Sequence, residues 1–389
     1  MIKYLVYDFL REEILNSSRK KNNIASARKF AFSIIRNIET NNRFSHYLLD
    51  TELSKQLLSH EDRALVTELV YGVLRYQKTL NTIISRHLKD KKIKISGTVR
   101  TVLQMALFQL LFLDRIPEYS LVNDAVEQIK IITKGSLTSW ANATLRKAVS
   151  EKLTLRKEIL ALQRSQSIEE LSLGYSYELS LISYLQNRYQ LSLPQLQKVL
   201  SHGNEKSEIC LRVNTLKIST DFFLNRYQGI SLYRSLHSPV GFRVGERIGL
   251  TNFEGFISGE CSVQDEASQL VGYLTDPQEG DNILDACSAP GGKASHIQEI
   301  RKNKGSIICF DKNPNRIEMG KENFERLAIK NATWVANDIL EIENTEHYHL
   351  YDTVIVDAPC SAVGTYHRHP ELKYMFLTQR LEICVPMQK

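Results

Sequence analysis

The alternation of short apolar runs with helical stretches between residues 282 and 359 constrains the fold more than any other feature. Four runs are predicted to be strands: NILDA at 282–286, SIICFD at 306–311, TWVAND at 333–338 and DTVIVDAP at 352–359. Helices are predicted at Lys293–Lys302 and Asn315–Ile329, and strands that alternate with helices form a parallel sheet. The fold class predicted for this part is therefore a Rossmann-like, doubly wound α/β domain.

Each of these predicted strands ends at or beside an aspartate. The four acids are Asp285, Asp311, Asp338 and Asp357. The carboxyl ends of parallel strands meet at one edge of a sheet, which is where ligands of such folds bind. Asp311 lies 19 residues after Gly292, close to the spacing at which an acid accepts hydrogen bonds from ribose hydroxyls. A carboxylate at Asp338 is placed to meet an adenine amine.

The loop after the first predicted strand, DACSAPGGK, indicates which nucleoside cofactor binds here. Gly291 and Gly292 have no Cβ atoms, so the backbone can turn sharply and approach a ligand closely. The loop matches neither G-x-G-x-x-G nor G-x-x-x-x-G-K-[ST], which argues against NAD and against ATP. S-adenosylmethionine remains as the predicted cofactor.

Each of these residues also has a purely structural interpretation. The glycine pair is compatible with a plain strand-to-helix turn, and Asp311 and Asp338 are compatible with helix caps. Lys293 is compatible with a solvated lysine in the first turn of a helix. Cys287 and Cys360 are compatible with small buried side chains. Acids at four successive strand ends, one of them beside a Pro-Cys pair, favour the cofactor interpretation.

The first 160 residues are strongly basic, and they are predicted to be helical almost throughout from Ala25 to Lys152. They carry 27 Lys and Arg residues against 16 Asp and Glu residues, whereas the whole chain has a net charge of +6. This excess favours a polyanionic partner, nucleic acid before membrane, although basic helices are often only solvated surface. The most apolar stretch, Thr101–Leu113, is too short to span a bilayer and is predicted to be a buried helix.

The cysteines and the N-terminus exclude further classes. Six cysteines are scattered without a C-x-x-C pair, so neither a metal site nor a disulfide framework is predicted. No secretory signal is recognisable at the N-terminus, and a cytoplasmic location is predicted by default.

Seven segments of the chain resemble motifs of the Nol/Nop/Sun family of RNA 5-methylcytosine methyltransferases. Five resemble the catalytic motifs: VQDEAS at 263–268, DACSAPGGKASHI at 285–297, ICFDKNPNRI at 308–317, VAND at 335–338 and DAPCSAVGTYHRHPELK at 357–373. Two resemble the NusB-type helical RNA-binding domain of the bacterial branch that modifies 16S ribosomal RNA: EDRALVTELVYGVLRYQKTL at 61–80 and SLTSWANATLRKAV at 136–149. The resemblance implies S-adenosylmethionine-dependent methylation of carbon 5 of a cytosine in that RNA.

The resemblance and the change in sequence character divide the chain into four predicted parts. Residues 1–24 are an N-terminal extension, and residues 25–155 are a NusB-like helical RNA-binding domain. Residues 156–260 hold a linker and a small α/β RNA-gripping module. Residues 261–389 form the methyltransferase domain, which is expected to be truncated.

The resemblance also implies how the reaction proceeds. A cysteine thiolate adds to carbon 6 of the cytosine, which makes carbon 5 nucleophilic enough to take the methyl group. An acid such as Asp357 assists near ring nitrogen 3, a base then removes the proton from carbon 5, and the thiolate leaves. The family assigns the attack to a later cysteine in a Thr-Cys-Ser motif and product release to the Pro-Cys residue, which is Cys360 here.

The family pattern is not followed to its end. No Thr-Cys-Ser tripeptide occurs in the 389 residues, and Cys384 lacks the flanking residues of that motif. Weak or absent turnover is therefore expected of this chain. The family's sheet has three further strands, so Val354, Ile355 and Val356 are expected to form an exposed apolar edge.

The strand-end pattern and the resemblance together give two sets of predicted site residues. The cofactor-binding residues are Cys287, Ser288, Ala289, Pro290, Gly291, Gly292, Lys293, Asp311, Arg316, Asp338 and Asp357. The catalytic residues are Cys360, Asp357 and Lys293. The predicted partner is 16S ribosomal RNA in an unassembled or partly assembled small subunit, bound by a monomer without metal or membrane. The alternative is a non-catalytic RNA-binding module or pseudo-enzyme fragment.

Overall fold

The computed structural model describes residues 23–41, 44–54, 58–88, 93–245, 249–341, 350–374 and 377–388. The predicted N-terminal extension lies outside the described residues, apart from its last two. By their contacts the described residues form two compact units. The helical unit holds the residues up to Lys206 and those from Ser361 to Arg380, and the α/β unit holds Ser207–Cys360 and the residues from Leu381 onward. The four predicted domain boundaries stay predictions.

Helices build most of the helical unit. They are α1 at Asn23–Asn41, α2 at Ser45–Ser54, α3 at His60–His87, α4 at Gly97–Phe112, α5 at Glu118–Thr133, α6 at Thr138–Ser150, α7 at Lys152–Gln163, α8 at Ile168–Gly174, α9 at Leu179–Tyr189 and α10 at Leu193–His202. Helices α1 to α7 share one hydrophobic core. Within the described ranges, none of the helices combines the length and the apolar character that a membrane span requires.

The most apolar stretch of the sequence forms α4, which is almost completely buried, as predicted. Every residue of Thr101–Leu111 is buried. The two glutamines that interrupt this stretch have hydrogen-bond partners. Gln104 donates to the Asn81 Oδ1 atom at 3.0 Å, and the Gln109 Oε1 atom accepts from the Arg28 Nε atom at 2.7 Å. The amide of Gln109 is thus bonded at both ends, because its Nε2 atom also donates to the Met105 carbonyl at 2.8 Å, whereas the buried Oε1 atom of Gln104 has no hydrogen-bond partner among the described residues.

Residues 168–202, within the stretch predicted to begin with a linker, form three packed helices instead. Helices α8, α9 and α10 share a second hydrophobic core, in which Leu171, Ile182 and Leu196 are fully buried. Glu169 and Glu170, which give the stretch its polar character, lie on the exposed face of α8. The polarity of the sequence therefore indicates an amphipathic helix here, not an extended connection.

The residues that follow the Pro-Cys motif, 361–374, belong to the helical unit. The Glu371 carboxylate accepts hydrogen bonds from the backbone N–H and the hydroxyl of Ser45, both at 2.9 Å, at the start of α2. Lys373 is buried and donates to the Arg75 carbonyl oxygen at 3.2 Å, and burial holds the pKa of Lys373 well below its ordinary value. Part of the motif that predicts methyltransferase chemistry is thus anchored among helices.

The α/β unit contains two sheets. The strands are β1 at Ile209–Val213, β2 at Leu232–Arg234, β3 at Gly241–Val244, β4 at Cys261–Val263, β5 at Asn282–Asp285, β6 at Ser306–Asp311, β7 at Ala332–Ala336 and β8 at Thr353–Ile355. The helices are α11 at Thr220–Arg226, α12 at Glu254–Ile257, α13 at Glu266–Leu274, α14 at Gly292–Ile300 and α15 at Pro314–Leu327. The last helix, α16 at Leu377–Gln388, has residues in both units. Short 3-10 helices lie at Leu250–Asn252 and Ile339–Glu341 in the α/β unit, and at Val363–Thr365 and Pro370–Lys373 in the helical unit.

The two sheets have different strand directions. The first is antiparallel in the order β2-β3-β1-β4, and the second is parallel in the order β7-β6-β5-β8. In the second sheet Asp285 pairs with Cys309 and Ile355, and Asp311 pairs with Ala336. The chain leaves β5 toward β6 on one side and reaches β8 on the other, which is the topological switch point where such sheets bind ligands. The predicted parallel sheet is confirmed.

Among the described residues β8 is an edge strand of this sheet. Val354 and Val356 are exposed, as predicted, but Ile355 is buried in the core that also contains Ile283. The prediction is therefore wrong for Ile355, because successive side chains of a strand point to opposite faces of the sheet.

Replacing Glu371 by alanine should destabilise the helical unit, because the buried N–H and hydroxyl of Ser45 then lose their acceptor. We expect the free energy of unfolding to fall by about 1–3 kcal/mol in urea denaturation followed by circular dichroism. The matched control is Glu127→Ala, since Glu127 is an exposed partner of Lys130 on α5 and should change stability by less than ~0.5 kcal/mol. Equal effects of the two substitutions would contradict an anchoring role for Glu371.

Candidate cofactor-binding and catalytic site

Backbone hydrogen bonds fix the loop between β5 and α14 onto the two neighbouring strands. The N–H of Ala286 donates to the carbonyl of Ile355 in β8 at 2.9 Å, and the N–H of Ser288 donates to the carbonyl of Phe310 in β6 at 2.8 Å. The loop closes where the N–H of Gly291 donates to the Ser288 carbonyl at 2.7 Å. The loop therefore lies at the ends of three adjacent strands.

The two glycines of the loop have different surroundings. Gly291 has a φ of +87°, and a Cβ atom there would lie 2.4 Å from the ring of Phe324. A Cβ atom on Gly292 would have only the Gln264 Nε2 atom nearby, at 3.9 Å. Gly291 is thus required by the turn itself, whereas Gly292 borders open space that a ligand can approach.

Asp311 ends β6 with a nearly buried carboxylate. Its Oδ1 atom accepts a hydrogen bond from the N–H of Asn313 at 2.9 Å, and its Oδ2 atom lies 3.2 Å from the Arg316 Nη1 atom. Arg316 also donates to the carbonyl of Ala289 in the loop. The cap of α15 is Asn313, whose side chain accepts from the N–H groups of Asn315 and Arg316. The helix-cap interpretation of Asp311 is therefore wrong.

Asp338 does act partly as a cap. Its Oδ1 atom accepts from the N–H of Leu340 at 3.2 Å, within the short 3-10 helix that follows β7. Its Oδ2 atom lies 3.6 Å from the Nζ atom of Lys312, which is the residue that follows Asp311 in the chain. The interpretation of Asp338 as a helix cap is thus directly supported. Its position near the end of β6 is also compatible with ligand binding, which stays a prediction.

Lys293 and Asp357 form an ion pair between the first turn of α14 and the end of β8. The Lys293 Nζ atom donates to the Asp357 Oδ2 atom, and the lysine side chain is mostly buried whereas the carboxylate is more than half exposed. The pair contradicts the interpretation of Lys293 as a solvated lysine. Cys360 follows Asp357 by three residues and is exposed, so it is not a buried filler.

The thiol of Cys287, in the loop after β5, is partly buried and is affected by the charges of three aspartates. Burial raises the pKa of Cys287, and the nearby charges of Asp285, Asp311 and Asp357 raise it further. The thiol therefore stays protonated near neutral pH and is unsuited to nucleophilic attack.

Asp285 is a site residue that the predicted set omits. Burial raises the pKa of its carboxyl to about 6, although the Ser288 hydroxyl and the N–H of Cys287 act in the opposite direction. Its position at a strand end was the signal in the sequence. The predicted loop residues Cys287, Ser288 and Ala289 lie in the loop between these strand ends, with Pro290 exposed beside them.

Comparisons with known proteins place these features in a family. The family model described as 16S rRNA methyltransferase RsmB/F matches residues 272–389, and the NusB family model matches residues 25–150. A protein of Synechocystis sp. named probable ribosomal RNA small subunit methyltransferase B is 30% identical over 370 residues, covering 94% of this chain and 81% of that protein. This chain belongs to the ribosomal RNA small subunit methyltransferase B family. The recognition based on the sequence motifs is thereby confirmed.

Further relatives agree with this assignment. The Bacillus subtilis protein of the same name is 30% identical over 353 residues, covering 90% of this chain and 76% of that protein. The crystal structure of PH0851 has a TM-score of 0.73 and 22% identity, and covers 95% of this chain and 80% of that one, which shows a shared fold. The predicted fold class, a NusB-like helical domain and a Rossmann-like methyltransferase domain, is confirmed.

S-adenosylmethionine is the cofactor of this methyltransferase, as predicted. The residues at the loop fit it. The open space beside Gly292 gives room for close backbone approach, and the Asp311 carboxylate has acceptor sites left for a ribose diol after its two contacts. The fit rests on two observations. Gly292 borders open space, and Asp311 is nearly buried but does not cap α15, because Asn313 does so.

Alanine at the two glycines should have opposite effects on stability and cofactor binding. Gly291→Ala should lower the free energy of unfolding by at least about 2 kcal/mol, because of the positive φ and the collision with Phe324. Gly292→Ala should change stability by less than about 1 kcal/mol but weaken S-adenosylmethionine binding, because its Cβ enters the ligand space. Denaturation and calorimetry measure the two effects. Unchanged cofactor affinity in Gly292→Ala would contradict the placement of the ligand.

Asp285 should make the stability of the α/β unit fall as the pH rises from about 4 to 6. The folded carboxyl ionises at about 6 and the unfolded one at 3.8, so the folded state holds more protons in this interval. The stabilising contribution of Asp285 is complete below the unfolded pKa of 3.8 and is lost as the pH rises through the folded pKa of about 6. Denaturation at several pH values, compared with Asp285→Asn, measures this contribution, which is on the order of 3 kcal/mol.

His296 contributes to the pH dependence with the opposite sign, which is why the comparison needs the Asp285→Asn variant. Burial and the charge of Arg212 lower the pKa of His296 to about 3, so its neutral form favours the folded state as pH rises over the same interval. His296 is present in both proteins, and its contribution cancels in their difference. A difference that does not depend on pH would contradict the raised pKa of Asp285.

Proposed function

We propose that this chain transfers a methyl group to carbon 5 of a cytosine in 16S ribosomal RNA. The names of its relatives, which describe methyltransferases of small-subunit ribosomal RNA, support the substrate class. The observation that carries the proposal is the meeting of Asp311, the open turn at Gly292 and the Lys293–Asp357 pair at adjacent strand ends. This arrangement combines a nucleoside site with an ionisable pair beside it.

The cofactor is held by the ends of the parallel strands. Asp311 accepts hydrogen bonds from the ribose hydroxyls, and Arg316 keeps that carboxylate in place from the loop side. Asp338 meets the adenine amine, and the backbone of Gly291 and Gly292 approaches the amino-acid end. When bound, S-adenosylmethionine supplies an electrophilic methyl group on a positively charged sulfur.

The Lys293–Asp357 pair acts on the cytosine ring. The target base leaves its stack to reach the site. A proton of the Lys293 ammonium passes through the Asp357 carboxylate to ring nitrogen 3, so that the negative charge that thiolate addition to carbon 6 places on the ring is neutralised. Carbon 5 can then attack the methyl group, after which a base removes the proton from carbon 5 and the thiolate leaves.

Cys360 takes the release step in this proposal. It is exposed and follows the strand-end acid Asp357, as the Pro-Cys residue of the family does. The family's attacking cysteine stands in a Thr-Cys-Ser motif, which does not occur in these 389 residues. Turnover by the chain of this sequence should therefore be weak even where both ligands bind.

The helical part binds RNA phosphates in this proposal. The excess of Lys and Arg in the first 160 residues provides the charge, and binding should weaken steeply with salt. The chain acts as a monomer in the cytoplasm on RNA that is not yet enclosed in a finished small subunit.

Binding and methyl transfer together test the proposal. Calorimetry should show S-adenosylmethionine binding that Asp311→Asn weakens about tenfold or more, the loss expected for hydrogen bonds to a charged group. Lys321→Ala, at an exposed position of α15 where the lysine pairs with Glu318, is the control and should leave the affinity within about twofold. Gel shifts should show binding to unmodified 16S RNA, and tritium transfer to that RNA should be weak.

The outcomes separate the alternatives. RNA binding without S-adenosylmethionine binding would support the non-catalytic RNA-binding module and contradict the proposal. Normal turnover would contradict the need for a Thr-Cys-Ser cysteine, and Cys360→Ser should then be tested. If that substitution removed all covalent adduct with RNA, Cys360 would be the nucleophile and not the release residue.

A further inference from the structure

Arg212 in β1 is a fully buried cation that contacts the start of α14. Its Nη1 atom donates to the Gly292 carbonyl and to the Gln264 Oε1 atom, both at 2.6 Å. Its Nη2 atom donates to the Ser295 hydroxyl at 3.0 Å and to the Glu299 Oε1 atom at 2.7 Å. The side chains of Arg212 and Glu299 are 0% and 1% exposed, so water does not screen this pair.

Stability alone does not account for this ion pair. Removing two charges from water costs much of what their attraction provides, and apolar pairs of similar volume are often equally or more stable. The Arg212 Nε and Glu299 Oε2 atoms also have no hydrogen-bond partner among the described residues. A buried arginine with an unsatisfied atom is better explained if its hydrogen bonds fix the orientation of the groups that accept them.

Arg212 and two of the residues that it contacts all donate to one peptide group. The Gly292 carbonyl accepts from Arg212, from the Gln264 Nε2 atom at 3.3 Å and from the Ser295 hydroxyl at 3.1 Å. A peptide group is planar and trans, so a fixed C=O direction fixes the N–H of Lys293 in the opposite direction. In the first turn of a helix that N–H points back toward the preceding loop.

We propose that Arg212 is a positioning residue for the cofactor site, acting through the Gly292 carbonyl. It holds the peptide between Gly292 and Lys293 in the orientation at which the glycine turn meets S-adenosylmethionine. The same contact fixes the Cα atom from which the Lys293 side chain reaches Asp357. The inference rests on the proposed function, because it takes the glycine turn as the cofactor site. It gives the small antiparallel sheet a part in cofactor binding, in addition to its predicted part in gripping RNA.

The test removes both charges together. The double variant Arg212→Met, Glu299→Leu leaves no buried charge behind, so it should fold with a melting temperature close to that of the wild type. Its dissociation constant for S-adenosylmethionine, measured by calorimetry on the full chain, should rise about tenfold or more, since a charged donor is lost from the Gly292 carbonyl. Its affinity for 16S RNA in a gel shift should not change.

Arg301 provides the matched control at the other end of α14. It is also buried and donates to the carbonyls of Asp281 and Ser306 and to the Gln298 Oε1 atom, all away from the glycine turn. Arg301→Met should lower the melting temperature but leave the cofactor dissociation constant within about twofold. Arg212→Lys keeps one charged donor and should recover part of the cofactor affinity.

These variants test the positioning role of Arg212 separately from the proposed location of the cofactor site. A double variant that binds S-adenosylmethionine as tightly as the wild type, while Asp311→Asn does not, would overturn the positioning role and leave the site intact. Unchanged binding in both variants would overturn the site and the inference together. If the double variant does not fold, the comparison of Arg212→Lys with Arg301→Lys decides, and equal cofactor affinities of these two would overturn the inference.

Discussion

The hydrogen bonds from the loop after β5 to the carbonyls of Ile355 and Phe310 are the constraint on which the site depends. They continue the parallel pairing of β5 beyond its last residue, so the loop cannot leave the ends of its neighbours. Asp285, Asp311 and Asp357 consequently act on the same thiol. Burial is the main cause of the raised pKa of Cys287, and the charges of these three acids add to it. The carboxylates of the site are thus brought together by backbone bonds and not by contacts among themselves.

The sheet and its acids were predictable because their signals are local. Alternating strand and helix lengths follow from short-range periodicity, and an acid at a strand end is visible in the sequence without knowledge of any partner. Whether Asp311 binds a ligand or caps a helix was harder to predict from the sequence. Asp and Asn are both good caps, and only the structure shows that Asn313 caps α15 and leaves Asp311 to Arg316 and the loop.

The residues that sequence reasoning missed depend on distant partners. Arg212 meets Gly292 across 80 positions, and Glu371 meets Ser45 across 326 positions. Periodicity and motif spacing report only on residues that are close in the sequence and do not reveal such pairs. An arginine in a predicted strand therefore gives the same sequence signal whether it is buried or exposed. The linker was misjudged for a related reason, since the glutamates of α8 are visible in the sequence but the partners that bury Leu171 are not.

The course of the chain after Cys360 favours the enzyme over the isolated RNA-binding module. The second core of the helical unit contains Tyr366 and Leu372 beside Leu171, and Glu371 satisfies the first N–H of α2. Without this segment the helical unit would lose apolar burial and leave buried polar groups unsatisfied. An RNA-binding fragment that ended before the Pro-Cys motif would lack these residues, so the helical unit depends on a segment that follows that motif in the chain.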